Sequence, residues 1–244
     1  MKPSSIIAHR GASHFAPENT LPAFQLAYEM GAHAIETDIH LSKDGIPVLI
    51  HDETVARTTN GKGKIQDMTL HELQSLDAGS WFSQGFSGTS IMDLGTFLQW
   101  AKNKPLKLNL EMKNNKIDYP NLEEIAFEYV RDAGMLNRII FSSFNRESVK
   151  RLGRYRNEVE IALLTSKRTK HLTSLAKELN VHALHIKHTL LDSRLTAACR
   201  EEQIHLRVYT VNKEAMMLRV FNERCDLITD KPNVAIDCLK NHLY

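Results

Sequence analysis

One pattern constrains this chain more than any other. Short apolar, β-branched runs alternate with stretches whose apolar residues recur at helical spacing. The strand-like runs are 5–8, 34–39, 106–112, 138–142, 159–164, 183–186, 205–211 and 226–228. Helical patterns over 20–30, 122–133, 146–152, 173–179, 194–201 and 213–221 fall between them. Strands joined through helices run parallel in one sheet. Eight such units are the number that closes a (β/α)8 TIM barrel. An open doubly wound sheet is the runner-up, and no Gly-x-Gly-x-x-Gly follows the first strand to favour it.

One segment breaks the alternation. An extended piece, 47–50, ends at His51, and residues 52–95 are then rich in Gly, Thr, Ser and Asp. Asn60-Gly61 is a turn signal. A short helical piece, 69–76, opens with a Thr-x-x-Glu capping pattern at Thr69 and Glu72. This reads as an insertion between the His51-Asp52 and Glu111-Met112-Lys113 strands, not as a linker. The expectation is one domain over 1–244 with an insertion at about 52–95.

Bulk properties exclude several classes. The chain has 244 residues, 42% hydrophobic and 25% charged, enough for a large core of ordinary soluble composition. A net charge of +2 with scattered basic residues argues against nucleic acid as partner. The densest basic cluster, 167–170, reads as solvated. Cys199, Cys225 and Cys238 form no Cys-x-x-Cys pair, so neither a disulfide framework nor a zinc knuckle is expected. No apolar run is long enough to span a bilayer, and the start of the chain lacks a signal-peptide pattern. A cytoplasmic protein without stable membrane insertion is expected.

Polar residues at strand ends carry the chemical information, because a barrel of this kind places its active site there. His9 follows the first strand directly and reads either as a catalytic or as a capping histidine. Glu36 and Asp38 share one face of the second strand, since side chains alternate. Two carboxylates on a buried face repel each other and lose hydration. A divalent cation relieves both costs; an exposed edge strand is the alternative. Asn109, Glu111 and Lys113 share a face of a later strand, adding a third carboxylate and a cation. Three carboxylates suit a hard ion, Mg²⁺ or Ca²⁺. Arg10 and Lys113 supply positive charge where a phosphate oxygen would sit, or Lys113 pairs with Glu111 or Glu36. His51 ends the next extended run. With His9 it would provide the base and the acid that phosphodiester cleavage needs.

At this point the sequence resembles the glycerophosphodiester phosphodiesterase family. The matching pieces are His9-Arg10-Gly11, Pro17-Glu18-Asn19-Thr20, Glu36-Thr37-Asp38, His51-Asp52, Asn60-Gly61, Glu111-Met112-Lys113, Tyr209-Thr210-Val211-Asn212 and Thr229-Asp230-Lys231-Pro232. Each is weak alone, and the ordered set is specific. The resemblance implies a barrel, one divalent cation on Glu36, Asp38 and Glu111, an acid–base pair of His9 and His51, and phosphate contacts from Arg10 and Lys113. It implies hydrolysis of a small-molecule glycerophosphodiester to glycerol 3-phosphate and an alcohol, through a cyclic phosphate. His9 is taken as the base of the first step and His51 as the acid. Tyr209 stands where the family often has Trp, near the glycerol end of the pocket. Asn19 or Thr20 is expected to cap the first helix, and Glu18 to pair with Arg10. Ile91-Met92-Asp93-Leu94 lacks the family's usual Pro and leads into a helix. The alternative is a phospholipase-type enzyme acting on intact lipid on the same barrel, for which Trp81, Phe82 and Phe86 would form a small apolar rim.

Overall fold

The protein is described from a computed structural model covering residues 4–169 and 171–242. Lys170, the last residue of the basic cluster, lies outside the described residues.

Among the described residues ten strands follow in chain order. They are β1 Ile6–His9, β2 Ala34–Leu41, β3 Pro47–Leu49, β4 Met92–Asp93, β5 Lys107–Met112, β6 Ile139–Ser143, β7 Glu160–Thr165, β8 Ala183–Lys187, β9 His205–Tyr209 and β10 Asp226–Thr229. Eight are parallel and form a ring. β2 pairs with β5, pairing continues neighbour to neighbour from β5 to β10, and β1 pairs with both β10 and β2, which closes the barrel. β3 runs antiparallel on the outer end of β2 and carries β4 on its far side. The (β/α)8 expectation is met.

The helices are α1 Leu21–Glu29, α2 Leu70–Gln74, α3 Leu94–Ala101, α4 Leu122–Asp132, α5 Arg146–Leu152, α6 Leu172–Glu178, α7 Ser193–Glu201, α8 Glu214–Asn222 and α9 Pro232–His242. Two of them lie outside the runs read from apolar spacing, although α3 is the helix into which Ile91-Met92-Asp93-Leu94 was expected to lead. α3 begins inside the Gly- and Thr-rich stretch, where Asp93 caps it by accepting from the Thr96 amide at 2.9 Å. α9 starts on Pro232 and packs Ala235 and Leu239, one turn apart, into the main apolar cluster.

Side-chain alternation divides the barrel into two cores. One parity faces the helices: Ile6, Ile35, Leu108, Leu110, Phe141 and Ile186 join Phe24 and Phe97 in the main apolar cluster. The other parity faces the axis. Its lower level is closed by Arg207, whose guanidinium lies 2.6 Å from Glu160 and 3.1 Å from His185. Ile7, Ala34 and Ile228 form a small apolar cluster on the same parity. His9, Glu36, Asp38, Asn109, Glu111 and Tyr209 belong to this inward set, and the register aligns His9 with Glu36, Glu36 with Asn109, and Asp38 with Glu111. Strand pairing alone therefore brings the acidic residues to one level.

The inserted stretch has an apolar core of its own, including Val55, Ile65, Leu73 and Ala78. The capping box at Thr69 and Glu72 forms as the sequence implies. Trp81, Phe82 and Phe86 pack edge to face on one another, with successive ring centroids 5.7 Å apart.

The turn after β1 is tight. Arg10 and Gly11 both adopt positive φ, at 55° and 83°. A Cβ on Gly11 would stand 2.6 Å from the carbonyl carbon of Ala23 in α1, so only glycine lets the loop after β1 rest on that helix. Gly11→Ala is therefore expected to destabilise the fold by about 2 kcal/mol or more. Urea unfolding measures it; an unchanged midpoint would contradict this packing.

Candidate active site

Three carboxylates meet at the carboxyl ends of β2 and β5. Glu36, Asp38 and Glu111 each offer an oxygen, and these oxygens lie within 4.8 Å of one another. All three residues are buried. Two cations border them. Lys113 Nζ is 2.9 Å from Glu111 and 3.4 Å from Asp38. Arg10 places Nε 3.2 Å from Asp38 and donates from Nη1 to Glu18 at 2.9 Å, while its backbone N–H donates to Glu36 at 3.0 Å. The expected pairing of Glu18 with Arg10 is present.

The expected cap of α1 falls on Thr20, but without a side-chain capping bond. The Thr20 hydroxyl donates to the Pro17 carbonyl instead. Asn19, at φ 57°, turns inward: its amide N–H donates to Asp38 at 2.9 Å and its carbonyl accepts from the Thr37 hydroxyl at 2.7 Å. The acidic cluster takes the side chain that the helix end would have used. Thr37, on the opposite face of β2 from Glu36 and Asp38, is held by the same amide.

The electrostatics show a charge imbalance. Burial, with the neighbouring charges of Asp38 and Glu111, pushes the Glu36 carboxyl up to about 8, against the pull of His9 and Arg10. Burial would also raise Asp38, but Lys113, Arg10, His51 and the Asn19 bond outweigh it and hold that carboxyl well below the usual range. Three carboxylates face two fixed cations, and the excess is relieved by a proton on Glu36.

Each candidate histidine is held by an aspartate. His9 Nδ1 is 2.6 Å from Asp230, which also accepts from Ser13 and, at 2.5 Å, from the Asn212 amide. A carboxylate only accepts, so Nδ1 carries hydrogen and Nε2 faces the cavity. Burial and Arg10 lower the His9 pKa, yet the Asp230 bond and the charges of Glu36 and Asp230 win, and the net shift is upward. Burial would raise Asp230, but the bond from His9 and those from Asn212 and Ser13 bring it down to about 2. His51 Nδ1 lies 2.6 Å from Asp52, and Arg57 grips Asp52 and Glu18 together at 2.8 Å each. Behind His51, burial lowers His40 to about 4, so its ring is neutral. Its Nε2–H donates to the His51 carbonyl at 3.0 Å, and Nδ1 accepts from the Tyr119 hydroxyl at 2.8 Å.

These groups surround a cavity of about 180 Å³ whose other walls are Asn109, Phe144, Leu164 and Tyr209. The Phe144 and Tyr209 rings meet edge to face at 5.9 Å. The Asn109 carbonyl oxygen is buried without a hydrogen-bond partner. All eight residues singled out from the sequence thus lie on this cavity or, for Asp38, against its wall. Asp230 and Asn212 stood in the quoted motifs without a role, and Asn19 was expected only as a helix cap. Arg57 and His40 carried no signal, because each works through a distant partner.

Residues 9–234 match the model of the Glycerophosphoryl diester phosphodiesterase family. The chain belongs to this family. A glycerophosphodiester phosphodiesterase of Caldanaerobacter subterraneus subsp. tengcongensis is 35% identical over 96% of this chain and 97% of its own length. One of Bacillus altitudinis is 32% identical, covering 96% and 97%. Among solved structures, an Oleispira antarctica phosphodiesterase in complex with its product sn-glycerol-3-phosphate superposes with a TM-score of 0.87 at 30% identity, covering 98% of this chain and 97% of that one. The protein is an enzyme of this phosphodiesterase family.

The proton on Glu36 has a measurable consequence. A carboxyl raised from 4.5 to about 8 on folding stabilises the fold fully below pH 4.5. That contribution declines as pH rises and is lost above about 8. In ion-free protein, Glu36→Gln is expected to flatten this part of the stability–pH curve, as read by urea midpoints; an identical slope in both proteins would refute it.

Proposed function

We propose that this enzyme hydrolyses glycerophosphodiesters to glycerol 3-phosphate and an alcohol, with Glu36, Asp38 and Glu111 holding one divalent cation, Mg²⁺ or Ca²⁺. The observation that carries the proposal is the excess negative charge at the acidic cluster. With Glu36 ionised the cluster lacks one positive charge; a divalent cation in place of the Glu36 proton would leave an excess of one. A phosphodiester monoanion then neutralises the site. The donor set also fits: it is all oxygen, as a hard cation requires, and the unpartnered Asn109 oxygen lines the same cavity. Such an ion supplies Lewis-acid polarisation of an oxygen and stabilises developing charge.

The remaining work falls to the chain's own residues. Arg10 and Lys113 offer N–H donors to the phosphate oxygens. His9, fixed by Asp230 with Nε2 toward the cavity, takes the proton from a glycerol hydroxyl as that oxygen attacks phosphorus. His51, fixed by Asp52, gives a proton to the departing alkoxide. The products of this step are a cyclic glycerol phosphate and the free alcohol. Water then opens the ring, giving its proton to His51 while His9 protonates the glycerol oxygen. Tyr209 and Phe144 offer flat apolar surfaces to the glycerol carbons. The reading takes the chain as one barrel unit carrying the insertion at 52–95. No described helix is long and apolar enough to cross a membrane.

Hydrolysis of glycerophosphocholine, followed as glycerol 3-phosphate released, is expected to stop with chelator and return with Mg²⁺ or Ca²⁺. His9→Ala and His51→Ala are each expected to lower kcat about 10²- to 10⁴-fold. Turnover that survives chelation, or that survives loss of either histidine, would remove the proposed mechanism.

A further inference from the structure

The barrel mouth holds a second, larger cavity of about 650 Å³ beside the first. The two share a wall, since Phe144 after β6 and Leu164 in β7 line both. The second cavity runs between the loops that follow β6 and β7, where Leu172 and Leu175 of α6 also line it. An arm of a diester anchored at the acidic cluster would leave the small cavity past Phe144 and enter the large one.

The lining carries charge of one sign. Arg146, Lys167 and Arg168 contribute, and no Asp or Glu does. Arg168 is engaged, with Nη1 2.9 Å from Asp192. Arg146 and Lys167 are exposed, and neither makes an ion pair with the described residues. The local fold does not account for Arg146. It opens α5 directly after the cap Asn145, and a cation at a helix start gains nothing from the helix dipole. At the first cavity, by contrast, the cations are already committed: Arg10 to Glu18 and Asp38, Lys113 to Glu111 and Asp38.

We propose that the second cavity is a subsite for a second phosphate group, with Arg146 and Lys167 as its cationic partners. The preferred substrates are then glycerophosphodiesters whose other arm ends in a further phosphate, and a quaternary ammonium arm is disfavoured. This rests on the reading of the first cavity as the phosphodiester site and adds the charge of the substrate arm. Both cations are exposed, so their attraction is modest and screened by salt. A concave wall of one sign still adds their fields.

Three diesters that differ in the charge of one arm test it: glycerophosphoglycerol phosphate, glycerophosphoglycerol and glycerophosphocholine. The first is expected to exceed the second in kcat/KM by about tenfold at low salt, and the third to fall below both. The preference is expected to shrink in high salt and in the double variant Arg146→Gln, Lys167→Gln, read as the ratio of kcat/KM for the first two substrates. Equal values for the three diesters would overturn the subsite while leaving the phosphodiesterase reading intact. So would a preference that persists unchanged in the folded double variant, or a preference for the choline diester. Hydrolysis of none of the three by folded, Mg²⁺- or Ca²⁺-supplemented protein would instead sink the underlying reading, and the subsite with it.

Discussion

The rest of the site depends on one electrostatic conflict. Glu36, Asp38 and Glu111 are buried together, with an oxygen from each within 4.8 Å. Hydration is lost and like charges face one another, which costs far more inside a protein than at its surface. Every neighbour reduces that cost. Asp38 keeps its charge because Lys113, Arg10 and Asn19 all reach it. Glu36 has fewer partners and yields by holding a proton. A fold selected for stability alone would replace such a cluster with apolar side chains of the same size. The cluster therefore points to a ligand.

The conflict spreads outward as a chain of alternating charges. Arg10 reaches from Asp38 to Glu18, Arg57 joins Glu18 to Asp52, and Asp52 holds His51. These links join β1, its loop and the inserted segment. The insertion thus has a task at the site: it supplies Arg57, which fixes the carboxylate behind His51. On the opposite side Asp230, steadied by Asn212 and Ser13, fixes His9 in the same way. Two histidines with matching aspartates across one cavity form a symmetric arrangement suited to a reaction whose second step reverses the proton transfers of the first.

Much of this was legible from the sequence because alternation along a strand is a strong rule. Glu36 and Asp38, two apart, had to share a face, as did Asn109, Glu111 and Lys113. The closed ring then fixed which face was inside. What escaped at the site was carried by long-range partners. Asn19 resembled a helix cap, and a buried carboxylate claimed it instead. Arg57 sat in a stretch with no regular pattern, and its function lies wholly in two carboxylates, one 39 residues away in sequence. α9 follows the last motif directly and was passed over although Ala235 and Leu239 share its buried face. His40 pointed inward from β2 like Glu36 and Asp38, but its role depends on Tyr119, far along the chain.

The two ends of the barrel axis make the argument sharper. At the lower end Arg207 also meets acidic residues, Glu160 at 2.6 Å and Asp226 at 3.4 Å. There the carboxylates flank the cation, and burial does not leave Glu160 protonated: the Arg207 charge and bond outweigh it and lower its pKa. Both ends place charged groups inside the same barrel. At the lower end Lys107, 3.8 Å from Glu160, brings the cations level with the acids, whereas at the carboxyl ends of the strands Glu36, Asp38 and Glu111 outnumber Arg10 and Lys113, and two aspartate-held histidines face the same space. Buried charge alone therefore does not distinguish a site from a structural plug. The unbalanced remainder does, because it is the part that folding leaves for a ligand to complete.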